Sequence, residues 1–140
     1  MGFRSDFYYT AARDRIREAQ FLHEHRYYVL AMYVSGLAVE CILRAFRMLK
    51  DPTFDERHDL WRLWKSTELA NVRSEFYHEK IQSSMDTVMS LWRYDYRFRS
   101  EAALRAYLKK IGSDRGIKGD FLKFNSKTLY DAAEEIVQLE

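Results

Sequence analysis

The chain reads as an all-α protein, an antiparallel up-and-down bundle of five or six helices. Three observations carry that expectation. Breakers are scarce, with one proline (Pro52) and five glycines in 140 residues, so helices run on without interruption. Apolar residues recur at i, i+3, i+4 and i+7 along several segments, and no stretch alternates with the period of two that a half-buried strand needs. Apolar residues make up 47% and charged residues 31%, a balance that folds around a core. The length suits one domain over residues 1–140.

The first helix is expected from about Ser5 to His25, with Ser5 or Asp6 capping its orphan amides. Phe7, Tyr8, Ala11, Ala12, Ile16, Ala19 and Leu22 give it an approximate stripe. A second runs from about Arg26 to Leu49. Val34, Leu37, Ala38, Cys41, Ile42, Ala45, Phe46 and Leu49 hold helical spacing there, and Ser35, Gly36 and Ala38 are small enough to admit a neighbouring helix. Asp51-Pro52-Thr53 is the clearest turn, because proline blocks helix continuation and biases the residue before it away from helical geometry. A third helix starts near Asp55 to Asp59 and carries Leu60, Trp61, Leu63 and Trp64. A fourth begins near Thr67 or Asn71 and reaches Trp92, with Phe76, Ile81, Met85, Val88 and Met89 on its apolar side. Tyr94 to Arg99 reads as a junction. Ser100 caps a helix from Glu101 to about Ile111. The segment Gly112 to Gly119 holds three of the five glycines and is the best flexible loop. Asp120 caps the last helix, which ends near Leu139 and buries Leu122, Leu129, Ala132, Ala133, Ile136 and Val137.

Composition narrows the function. The single cysteine, Cys41, lies in an apolar run, so it forms no internal disulfide and reads as a packing residue. No cysteine cluster is present to hold a metal, and no cofactor is implied. One cysteine favours a reducing compartment. The N-terminus MGFRSDFYY has no signal-peptide core. Glu40 and Arg44 interrupt the longest apolar run, which argues against a membrane span. The expectation is a cytoplasmic protein. Zinc, dinucleotide, phosphate-loop and serine-hydrolase motifs are absent from the sequence.

Net charge is only +2, but ten Lys/Arg stand against four Asp/Glu between Arg93 and Lys127. The flanking segments are acidic. A basic block between acidic flanks is either a phosphate-binding surface or a solvated face paired with those flanks. Aromatic residues reach 16%, enough for a core, an interface or a base-stacking surface.

Individual residues stand out. Glu40 sits in a helix that is apolar on both sides, so it either pairs with Arg44 at i+4 or serves as a pocket carboxylate that orients an arginine or histidine. His58, between Arg57 and Asp59 near a helix start, caps or packs, or acts as a general acid or base if it lines a cleft. His23 and His25 lie two apart and do not share a helix face, so they make no metal pair. Arg93, Arg97 and Arg99 around Tyr94 and Tyr96 form the densest cationic–aromatic cluster. It can grip phosphate, or it can be a sealed junction paired with Asp95.

The apolar run Ala31 to Phe46 around Glu40, then His58-Asp59-Leu60, then Leu91-Trp92 with Tyr96-Arg97-Phe98, then Tyr130 to Val137, resemble in that order the HEPN family of nucleotide- and RNA-associated helical bundles. The resemblance covers about Ser5 to Val137. It implies an antiparallel up-and-down bundle of four main helices with one or two short ones added. It also implies a homodimer whose paired surfaces form a cleft, and it divides function between ribonucleases and non-catalytic partners of nucleotidyltransferases. Catalytic members carry an arginine followed by a histidine near the start of the last core helix. Arg97 or Arg93 is the counterpart of that arginine here, but His78 is the last histidine in the chain. Arg73 and His78 have the right spacing at an earlier position, as do Arg17 and His23. The motif's trailing tyrosine, a site of AMP modification in some toxin members, is replaced by Lys80.

The leading expectation is therefore a non-catalytic module that dimerises and binds a nucleotide, RNA or a nucleotidyltransferase-type partner through Glu40, His58, Arg93, Tyr96 and Arg97. One alternative is a metal-independent RNA endonuclease, a toxin with its antitoxin or a phage-defence component, drawing on Arg73, His78, His58 or Arg97. Another is a structural protein–protein adaptor.

Overall fold

The computed structural model describes residues 5–51, 60–67 and 75–138, with the side chains of 75–78 left aside. Every regular element in that set is a helix. They are α1 (Ser5–Glu24), α2 (Tyr28–Lys50), α3 (Leu60–Ser66), α4 (Glu75–Leu91), a short 3-10 helix η1 (Tyr94–Phe98), α5 (Glu101–Lys110) and α6 (Phe121–Val137).

The four long helices make the bundle. α2 is the hub: α1 and α6 pack along it, α4 packs on α6, and η1 and α3 lean on α2. A three-residue turn returns α1 into α2, which makes the pair antiparallel. The core takes residues from every helix, among them Ala12, Met32, Ile42, Leu43, Leu63, Met85, Tyr96, Leu104, Leu108, Leu129 and Ile136. Phe7 and Leu49, expected on buried stripes, are exposed, both toward the end of the α1–α2 pair that lies away from its turn.

α2 is apolar nearly all round because it has neighbours on several sides. Despite Glu40 and Arg44, its best 18-residue window reaches a mean hydropathy of 1.7, so by length and composition alone it matches a membrane span. Its residues Ala31, Met32, Ala38, Val39, Ile42 and Leu43 are fully enclosed by protein, which accounts for that composition.

Local chemistry sets the boundaries. α2 ends at Lys50 because Asp51 precedes Pro52 and adopts an extended conformation (φ −138°, ψ 94°). α1 stops at Glu24 in a Schellman closure: the Tyr27 amide donates to Leu22 O at 2.9 Å and the Arg26 amide to His23 O at 3.1 Å. That closure places Arg26 in the left-handed region at φ 66°, so the second helix starts at Tyr28 rather than Arg26. α5 ends the same way, with the Ser113 amide on Leu108 O and the Gly112 amide on Lys109 O, and there the left-handed position is a glycine (φ 80°). Thr67 closes α3 instead of opening α4, since its hydroxyl donates to Trp64 O at 2.6 Å. Asn71 lies outside the described residues.

The N-caps expected for the last two helices are present. Ser100 Oγ accepts from the Ala103 amide, and the Asp120 carboxylate accepts from the Leu122 and Lys123 amides. The segment 112–119 is less loose than its glycines suggest. It is a chain of hydrogen-bonded turns, tied to α6 by the Asn125 amide, which donates to Ser113 O at 2.9 Å and Phe121 O at 2.7 Å.

Candidate functional site

One face of α2 organises the site. Tyr33, Gly36, Glu40 and Arg44 follow one another at three- and four-residue steps, so they lie along a single side of the helix. The end of α4 and the start of η1 pack on that side. The Trp92 indole Nε1 donates to Tyr33 O at 3.0 Å, and the ring lies over Gly36, where an added Cβ would stand 2.0 Å from Nε1. Only a residue without a side chain allows so close an approach. Next along the face, the Tyr94 hydroxyl donates to the Glu40 carboxylate. Arg44 Nε stands 3.6 Å from the other oxygen of Glu40. Tyr94 also meets Trp92 edge to face, with centroids 4.3 Å apart.

This seating leaves a cleft of ≈400 Å³ between α3 and the α4–η1 junction, lined by Leu60, Trp61, Met89, Trp92, Arg93 and Tyr94. Trp61 is about half exposed and Tyr94 is 38% exposed, so both rings present surface to it. Lys65 Nζ lies 3.7 Å from the centroid of the Trp61 ring. Arg93 Nη1 donates to Met89 O at 3.0 Å and Trp92 O at 2.7 Å, closing the α4 C-terminus and holding the guanidinium at the rim.

The residues named from sequence fall in different places. Arg93 lines the cleft. Glu40 does not line it. It stands behind the wall, where it pairs with Arg44 and holds Tyr94. Tyr96 leaves the ligand-facing set. It is 1% exposed, its hydroxyl donates to Leu91 O, and its ring meets Tyr107, because a 3-10 turn points only one edge outward. Burial drives its phenol pKa far upward. Arg97 is exposed and stacks on Phe98 with its guanidinium carbon 4.7 Å from the ring centroid. His58 and Arg73 lie outside the described residues, and of His78 only the backbone, in the first turn of α4, is described.

Two other histidines are placed at the end of α1. His23 Nδ1 and the buried Ser126 hydroxyl share a hydrogen bond at 2.8 Å. Burial, then Lys127 and Lys123, lower its pKa. His25 Nδ1 donates to Phe21 O at 2.8 Å. Burial also pushes the Cys41 thiol up to about 11, as suits an inert packing residue. Among the described residues, no group of three His, Cys, Asp or Glu is placed to hold a metal.

Sequence reasoning missed Trp61, Met89 and Trp92 as lining residues. A signal for Trp61 existed: Leu60, Leu63 and Trp64 occupy the buried face of α3, which leaves Trp61 on the polar face beside Arg62 and Lys65. A large aromatic on a charged helix face is the kind of exception that marks a contact surface.

The family model described as HEPN domain matches residues 5–139, nearly the whole chain. No curated protein and no solved structure matches it.

Proposed function

We propose, from the premise that this chain belongs to the HEPN domain family, that it is a non-catalytic member that dimerises and binds a nucleotide or single-stranded RNA in the cleft between α3 and η1. The observation that carries this reading is the lining itself. Trp61 and Tyr94 offer ring faces for a base, and Arg93 stands at the same opening for a phosphate. Cleavage of a ribose phosphate without metal needs a titratable group within hydrogen-bond reach of the reacting oxygen. Among the described residues, the two histidines with placed side chains, His23 and His25, do not line the cleft, and each is bonded elsewhere.

The test is calorimetric titration of the full chain with uridine and adenosine monophosphates, beside Trp61→Ala and Arg93→Ala. The wild type binds, and each variant weakens binding by roughly tenfold, on the order of 1.4 kcal/mol. A wild type that binds neither nucleotide ends the reading. Incubation of RNA with the wild type and chelator leaves it intact. Cleavage lost on His78→Ala, His58→Ala, Arg73→Ala or Arg97→Ala transfers the chain to the ribonuclease alternative and names the residue.

The dimerisation element has its own support. An apolar groove of ≈550 Å³ between α1 and α2 is lined by Phe21, Leu22, Leu30 and Val34 and edged by Asp14, Arg17 and Glu18. Phe21 and Leu30 are about half exposed. The edge charges are matched within the helix, Arg17 to Asp14 and Arg15 to Glu18, so a second copy related by a two-fold axis covers the apolar floor without burying an unpaired charge. Light scattering at tens of micromolar (on the order of assay concentrations) reads a dimer for the wild type and a monomer for Phe21→Glu. A monomeric wild type rejects this element alone.

A further inference from the structure

We infer that the cleft continues along η1 and that its ligand is a single strand of at least two nucleotides, with the second base stacked on Phe98 beside Arg97. This rests on the nucleotide-binding reading of the cleft and extends it to a second subsite.

Phe98 is the most exposed large apolar side chain described, at 78%. A lone exposed ring is ordinary, but this one is accompanied. Arg97 lies across it at 4.7 Å, and no ion pair to Arg97 is found among the described residues. A guanidinium over a ring makes a cationic platform suited to a base and its phosphate together. In a 3-10 helix, residues three apart eclipse and rise about 6 Å. Tyr94 and Arg97 therefore share one edge of η1, and the platform follows directly from the wall of the cleft.

The segment is also rigid and electrostatically prepared. Tyr96 is buried and anchors η1 from beneath. Its one acidic residue, Asp95, is held bidentate by Arg99 at 3.3 and 3.1 Å, so its charge is already matched. Arg93 and Arg97 remain to flank a phosphate backbone running from the cleft to Phe98.

Fluorescence anisotropy of the full chain with labelled uridylates of one, two and six units tests this, with thymidylates of the same lengths alongside. Affinity rises roughly 5- to 150-fold from one unit to two, the range expected for one added stacked base. Phe98→Ala removes that gain and leaves the single nucleotide unchanged. Arg97→Gln flattens the salt dependence of the longer strands by about one unit of slope. Trp61→Ala weakens every length.

Phe98→Ala binding two and six units like the wild type overturns the second subsite while the cleft stands, provided Trp61→Ala still weakens all lengths. Affinity that does not grow with length does the same. Undiminished binding by Trp61→Ala removes the cleft, and this inference with it. Uridylate preferred over thymidylate identifies RNA as the strand. Equal binding identifies recognition by base faces and phosphates alone, and either result supports the subsite when it depends on Phe98.

Discussion

Gly36→Ala sets two physical effects of opposite sign against each other. Gly36 lies inside α2, and helix propensity alone favours alanine there by about 1 kcal/mol. The tertiary structure opposes it. The new methyl would stand 2.0, 2.1 and 2.2 Å from Nε1, Cε2 and Cδ1 of Trp92. Three atoms of a rigid indole cannot yield by a rotamer change, so Trp92 leaves its seat or α2 and α4 separate. Overpacking of a tight core costs about 1–3 kcal/mol, and the upper end applies to contacts this short. Moving the indole also ends the Nε1 bond to Tyr33 O, another ~1 kcal/mol. After the propensity gain, the net expectation is a loss of about 3 kcal/mol. Urea denaturation reads it as a lower midpoint at similar slope. Near-UV circular dichroism reports the displaced indole. Trp92 and Tyr94 wall the cleft, so nucleotide binding falls with them. A Gly36→Ala protein as stable as the wild type, or more stable, refutes the argument that Trp92 seats on a bare backbone.

Other perturbations have clear signs. Tyr94→Phe removes the charge-assisted bond to Glu40 and lowers stability by roughly 1–2 kcal/mol in denaturant titration; an unchanged midpoint means that Glu40 does not position the cleft wall. Arg26→Gly relieves a left-handed residue in the α1 closure. The strain is worth about 1–2 kcal/mol and glycine's extra unfolded-state entropy takes back about half, so the melting temperature rises by a few degrees, and a fall contradicts the strain argument. His23 has a folded pKa below its unfolded value of 6.5, so the unfolded chain binds the extra proton. Stability is then level above about pH 7.5 and declines as pH drops through 6.5 and below, and His23→Gln flattens that decline in urea titrations; an equal decline in both assigns it to other groups.

The sequence by itself determined the helices and most of their ends. Periodicity found the stripes of α2, α4 and α6, Pro52 stopped α2, and Ser100 and Asp120 marked the starts of α5 and α6. These are local effects, carried by side chains and backbone groups a few residues apart. Arg26 escaped because a Schellman closure accepts arginine at a strain cost; after α5 the same closure falls on Gly112, in a segment whose glycines read only as a loop. The order of motifs was also enough to place the chain in its family, since the matched region spans 5–139. What only the tertiary structure decided was direction. The Arg93–Arg99 cluster was legible as a unit, yet nothing in its spacing told which rings point inward. A 3-10 helix, rather than an α-helical or extended junction, buries Tyr96 and turns Tyr94 and Arg97 outward. Glu40 needed its partner 54 residues away before its role could be read. Trp61 joined the site only when α3 was laid against the end of α4. A one-dimensional pattern fixes which residues share a helix face, but which faces meet depends on the packing of elements far apart in the chain.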